Sequence, residues 1–234
     1  MAGFKSHITG STAVGVAYGY WGVTTQGIAL ENGILAAGLC SVAGMLPDLD
    51  SDSGVPLRET SLFLASIAPM LMIERFRDLG LTHEEMAVAS IGLYVVIRFV
   101  AVEFFKRYTV HRGMWHSLPA AASAGLIAYL AVPSAAESVR VYKSLAVVAG
   151  FMTHLVMDEI WSIDLRRMRL KKSFGTALKF FGNSFVGNVS TYAKLFLLMW
   201  LAWGDHDITG RVRERVQIDR LDRDRYAERQ ERWR

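Results

Sequence analysis

The chain predicts an all-α fold: a polytopic integral-membrane helical bundle of about six or seven apolar helices, followed by a charged C-terminal helical tail. Three observations point there. The 234 residues are 52% hydrophobic, with a mean hydropathy of +0.24. Charge is concentrated at one end: of 26 basic and 22 acidic residues, 9 and 8 fall within Asp205–Arg234. The preceding residues are then about 15% charged, against roughly 25% in an ordinary soluble domain. Apolar runs also recur along the whole body. At this density they need a soluble core larger than the chain can wrap, whereas a spanning helix satisfies its own backbone hydrogen bonds in a bilayer.

Taken in order, the runs are residues 8–30 and 32–47, neither carrying a formal charge, then 60–73, and 86–102 with Arg98 inside it. They continue with 117–136, 144–157, and 186–204, which Lys194 interrupts. A spanning helix needs about 20 apolar residues. Residues 61–73 and 144–157 are short for that, and fit a tilted span, a re-entrant piece or a buried helix. Residues 186–204 are expected not to cross, or to re-enter. Residues 1–204 then form one membrane-embedded domain, with 205–234 as a solvent-exposed tail. That tail, ending "RVRERVQIDRLDRDRYAERQERWR", interleaves opposite charges and reads as a solvated helix laced with i,i+4 pairs. Its charges nearly cancel and the net charge is only +4, so no nucleic-acid partner is expected. The single cysteine, Cys40, excludes an intramolecular disulfide framework and a Cys-rich zinc site.

Four polar clusters stand at the ends of these runs. They are His7; Asp48, Asp50 and Asp52 in "LPDLDSDSG"; His111, Arg112 and His116 in "VHRGMWHS"; and His154 with Asp158 in "THLVMDE". If each run crosses, the clusters follow zero, two, four and six crossings and share one membrane face. His154 and Asp158 are four apart, so they project from one side of a helix. His111 and His116 are five apart and cannot share a helix face, but a turn at Gly113 can bring both inward. Ser117 followed by Pro119 marks the start of the next helix. Imidazoles with carboxylates suit Zn, Mn or Fe(II). Residues 48–59 also half-resemble a calcium loop, with Asp at positions 1, 3 and 5 and Glu at 12, but they lack the Gly at 6 and have Pro at 9. His83 reads as an ordinary interfacial histidine, and Trp115 and Trp161 as interface anchors. Arg98 either faces a cavity or snorkels.

In this order, His7, "PDLD" (47–50), "HRGMWHS" (111–117) and "HLVMD" (154–158) make the chain resemble the YdjM-type family of predicted membrane-bound metal-dependent hydrolases. The resemblance covers about residues 4–162. That family is in turn distantly similar to the zinc-dependent phospholipases C and single-strand nucleases. This chain departs from it at Ser51 and Asp52, where a His often follows the second Asp, and at Trp115, where a Thr often stands. The resemblance implies a metal-dependent hydrolase of a phosphoester. His7, Asp48, Asp50, His111, His116, His154 and Asp158 are its expected ligands for a divalent ion, most readily zinc, with manganese or iron as alternatives. Such an ion lowers the pKa of its water from 15.7 towards about 7. Asp50 or Asp52 is expected to take the proton, and Arg112 to hold phosphate oxygens. A site at headgroup level suggests a phospholipid or lipid-linked phosphoester as substrate, with the bilayer itself as partner. The competing reading is a non-catalytic membrane protein whose ion is structural or transported.

Basic residues in short loops are richer on the motif side (Lys5, Arg58, Lys106, Arg107, Arg112 and "RRMRLKK", 166–172) than opposite (Arg75, Arg77, Arg140, Lys143). The positive-inside rule then places the site on the cytoplasmic face of a bacterial-type inner membrane, and the tail is expected there too.

Overall fold

The structure is a computed structural model that describes residues 3–50, 55–101, 103, 113–132, 136–164, 169–170, 175 and 177–205. It is all-helical, as expected. The elements are α1 (Phe4–Thr25), α2 (Leu30–Ala43), a 3-10 turn (Pro47–Asp50), α3 (Val55–Leu71), α4 (Ile73–Asp78) and α5 (His83–Val95). α5 runs into a π-helical turn (Val96–Ala101), and α6 (Leu118–Ala131), α7 (Glu137–Ser162) and α8 (Phe185–Asp205) follow. The exception among the described residues is a two-residue antiparallel pairing, Ile163 opposite Leu170 and Asp164 opposite Arg169.

α7 is the axis. The α1–α2 hairpin packs against it on one side and α6 on another, while α3 packs on α5. The inward stripe of α1 is His7, Ser11, Gly15, Gly19 and Gly22, almost one residue per turn. Small residues are needed there: a Cβ on Gly15 would meet the Ala37 carbonyl of α2. Gly150 does the same for α7, whose backbone lies against the carbonyl of Cys40. Close backbone approach over small residues is how helices associate where no water drives them together. The larger core cluster, around Phe151, Leu155, Ala120, Ala124 and Ala43, fills the space between α2, α6 and α7.

The two ends of this bundle differ. Asp158 and Arg140 are 18 positions apart on α7, about 27 Å of rise. The Asp158 end gathers the first turn of α1, the 3-10 turn, and the starts of α6 and α8. At the Arg140 end, Asp205 pairs with Arg140 and with Arg75 of α4, the latter at 3.1 Å. Arg75 also donates to the carbonyl of Leu130 at 2.6 Å, and Arg140 to that of Tyr129 at 2.7 Å. These are last-turn carbonyls of α6, which lack helical partners. The Arg140 guanidinium lies 3.8 Å over the Tyr129 ring.

Three expectations need correction. Among the described residues, two helices, α7 and α8, are both long and apolar enough to cross a membrane, fewer than the six or seven expected. α2 and α6 stop at 14 residues each, and α1, though 22 residues long, dilutes its apolar character with Gly, Ser, Thr and Tyr. Second, residues 186–204, expected not to cross or to re-enter, show no break and are long and apolar enough to cross. They lie within one 21-residue helix whose first turn lies against Met114 and whose end pairs with Arg140. Third, Asp205 does not open a solvent-exposed tail, because its mostly buried side chain is held between the two arginines. The rest of the tail, 206–234, lies outside the described residues. Residues 144–157, read as a short run, are the middle of the 26-residue α7. Polar residues extend it at both ends, where they meet the two polar clusters.

Candidate metal centre

Five of the expected ligands come together at one end of α7. His154 and Asp158 project from the same side of that helix, one turn apart, and both are buried. His7 reaches them from the first full turn of α1, with its Nε2 3.3 Å from Asp158 Oδ1. Its ring stacks on that of His154, centroids 3.6 Å apart and 13° from parallel. His116 approaches from the turn before α6, edge-on to His154 at 5.7 Å. Asp48 comes from the 3-10 turn, its Oδ1 3.7 Å from His154 Nε2. These residues form two overlapping triplets, His7–His154–Asp158 and Asp48–His116–His154. Within each, one ligand atom per residue lies within 4.8 Å of the others.

Local backbone features set these positions. Ser117 caps α6 from an extended backbone, accepting from Ala120 N–H at 3.4 Å while its hydroxyl donates to the Met114 carbonyl at 2.5 Å. That folds residues 113–116 into a turn closed by His116 N–H on the Gly113 carbonyl, and turns the imidazole inward. Trp115 points the other way. Its indole N–H donates to the Leu46 carbonyl at 2.8 Å, and its ring edge meets Phe151. Trp115 is therefore no interface anchor: it ties the His116 turn to the chain just before Asp48. Trp161 is 45% exposed.

The electrostatics turn on His154. Its Nδ1 lies 2.7 Å from the Gly44 carbonyl, an acceptor only, so Nδ1 carries a hydrogen and donates it. In the neutral ring Nε2 is then a lone pair. It is buried, without a hydrogen-bond partner among the described residues, and it faces Asp48 Oδ1 at 3.7 Å and Asp158 Oδ2 at 3.8 Å. A lone pair aimed at two carboxylates away from water is unfavourable unless positive charge lies between them. The donor set, imidazole nitrogens with carboxylate oxygens, fits a divalent ion of the Zn, Mn or Fe class. The Gly44 contact is the outer-shell bond that commonly fixes the tautomer of a ligating histidine.

The remaining expected residues fare differently. Asp50 ends the 3-10 turn, and nothing of its side chain is described. Asp52, His111 and Arg112 lie outside the described residues. His83 is exposed in the first turn of α5, remote from the centre. Arg98, in the π-helical turn, donates to Ser61 Oγ of α3 at 3.3 Å.

Two contributors escaped the sequence reading. Gly44 acts through its carbonyl, which no side-chain pattern reveals. Glu159 looks like a mere neighbour of Asp158, yet one position along a helix turns a side chain by about 100°. It points out of the cluster and accepts three backbone N–H groups: Gly175 and Ala177 at 2.7 Å each, and Leu178 at 3.2 Å. The segment leading to α8 is thereby pinned to the helix that carries His154.

A family model described as "YdjM inner membrane protein" matches residues 1–203. No curated protein and no solved structure matches the chain.

Proposed function

The chain belongs to the YdjM inner membrane protein family, and on that premise we propose that it is a membrane-bound, metal-dependent hydrolase of a phosphoester. The observation that carries the reading is the buried His154 Nε2 lone pair facing two carboxylates, with His7 and His116 alongside. His7, Asp48, His116, His154 and Asp158 would hold the ion, with Asp50 and His111 as further ligands, and zinc suits this donor set best. A bound ion would supply a water that ionises near neutral pH and a Lewis acid for a phosphoryl oxygen. The chain's own residues do the rest. Gly44 keeps the His154 lone pair turned inward, Asp50 or Asp52 accepts the proton, and Arg112 grips phosphate oxygens in a bidentate pair. In this reading residues 1–205 are the membrane-embedded domain and 206–234 the charged appendage, and the basic loops put the centre on the cytoplasmic face.

A structural or transported ion is the alternative. A transport path needs ligands continuing to the opposite end. Among the described residues, the buried ionisable groups there are Arg75, Arg140 and Lys143, which repel a metal cation, and the nearby Asp205 carboxylate is already taken up by the two arginines.

Metal analysis of detergent-purified protein is the test. The expected result is about one or more transition-metal ions per chain, lost with phosphoesterase activity in His154→Ala and His116→Ala. Wild-type protein free of transition metal would overturn the proposal. Metal without hydrolysis, but with ion flux into liposomes, would favour the alternative.

A further inference from the structure

Beside the metal centre lies a segment with an unusual distribution of polar and apolar groups. Residues 177–185 connect the Glu159 clamp to α8. Their side chains include Leu178, Phe180, Phe181 and Phe185, all exposed, the last at 80%. Part of the backbone beneath them is paired. Glu159 accepts from Ala177 and Leu178 N–H, and the Lys179 carbonyl accepts from Leu118 N–H at 3.1 Å. The Phe180 carbonyl accepts from the Tyr192 hydroxyl at 3.0 Å. Asn188 brackets Gly182, accepting from its N–H at 2.7 Å and donating to its carbonyl at 2.9 Å. Ser184 caps α8 through the N–H groups of Gly187 and Asn188. Each such bond lowers the cost of placing a non-helical loop in hydrocarbon. Exposing three phenylalanines to water from so ordered a loop would be costly. The patch also continues without a break into the outward face of α8, where Val186, Val189, Phe196 and Trp200 are exposed.

The loop's position gives this a functional meaning. Gly182 and Gly187 lie against the Met114 side chain, and Lys179 meets the first residue of α6. Both contacts flank the turn that presents His116. We propose that residues 178–185 are embedded in the acyl region of the leaflet on the metal side, and that they hold the centre at headgroup depth. Its substrates are then phosphoesters carried on a hydrocarbon chain and delivered sideways from that leaflet. The substrate assignment rests on the hydrolase reading above; the lipid seat of the loop does not.

Two measurements test the two parts. For the seat, Phe181→Cys and Glu84→Cys are each labelled with an environment-sensitive fluorophore and reconstituted into vesicles carrying doxyl-labelled lipid. Glu84 is exposed in the first turn of α5 at the other end of the bundle. Strong quenching at 181 and weak quenching at 84 is expected; equal quenching would overturn the seat. For the substrate, wild type and Phe180→Ser/Phe181→Ser/Phe185→Ser are assayed on soluble bis(p-nitrophenyl) phosphate and on phosphatidylethanolamine–phosphatidylglycerol vesicles. The vesicles are used with and without a polyprenyl diphosphate, which separates the two sources of a lipid phosphoester. The triple variant should lose about tenfold or more on the lipid substrate, since each apolar anchor is worth at least that, and keep its rate on the soluble one. Equal loss on both, or wild-type cleavage of the soluble ester alone, would overturn the lipid assignment. Cleavage of neither by wild type would remove the hydrolase reading and leave the quenching result standing.

Discussion

Glu159 shows how a single residue can matter without entering the chemistry. Asp158 and Glu159 are adjacent acids with different tasks, separated by the helical turn between them. Asp158 faces His7 and His154, while Glu159 collects three backbone N–H groups from the segment that leads to α8. Hydrogen bonds to a charged acceptor contribute about 1.5–3 kcal/mol each, and orphaned buried donors cost about as much again. Glu159→Ala should therefore loosen residues 175–178 first. Hydrogen–deuterium exchange at Ala177 and Leu178 should rise well before the α7 amides respond, and a uniform rise would show the clamp is not local. Glu159→Gln, which keeps an acceptor oxygen, should fall between. At this scale the sequence was uneven in what it disclosed. The i,i+4 pair His154 and Asp158 was legible because helical period alone puts both on one side. Glu159 and Gly44 were not, because their partners are backbone groups far along the chain.

At the scale of the element, the bundle depends on how closely α7 approaches α2. Gly150 sits where a Cβ would run into the Cys40 carbonyl, a rigid backbone atom. Gly150→Val should force the helices apart and cost about 1–3 kcal/mol or more, the usual penalty of overpacking. It should also move His154, one turn further along, away from the Gly44 carbonyl. Gly38, exposed on α2 with open space around it, provides the control: Gly38→Ala should leave thermal unfolding in detergent unchanged or slightly improved. Matching losses in the two variants would rule out close packing as the reason for Gly150. Ser117 and Pro119 announced the start of α6 correctly, since a capping hydroxyl and an early proline act locally. Trp115 read as an interface anchor because tryptophan near the end of an apolar run usually is one. Its actual partner, the Leu46 carbonyl, is 69 positions away.

For the whole molecule, the decisive arrangement is the opposition of the two polar ends. α8 leaves the metal end at Phe185 and reaches Arg75 and Arg140 at Asp205, about 30 Å of rise later. The chain therefore leaves the bundle at the end away from the centre. A topology reporter fused at the C-terminus should report the opposite side of the membrane from one inserted between residues 165 and 168, in the basic stretch of sequence that follows α7. The same side for both would contradict a crossing α8. The wild-type run 206–234, with its dense charge, has no apolar stretch with which to return.

What the sequence determined by itself was the material and its local order: an apolar, helical, membrane-type chain with histidines and acids at the ends of its runs. Those follow from composition and from periods of a few residues, which neighbouring side chains set. Only the tertiary structure decided which of these groups meet, that Gly44 turns the His154 lone pair inward, and that Asp205 belongs to the bundle rather than the tail. Each of those depends on contacts between residues distant in sequence, from 38 positions apart for His116 and His154 to 151 for His7 and Asp158. Such contacts are selected by how helices pack, over small residues and satisfied backbone groups, and no local pattern encodes that.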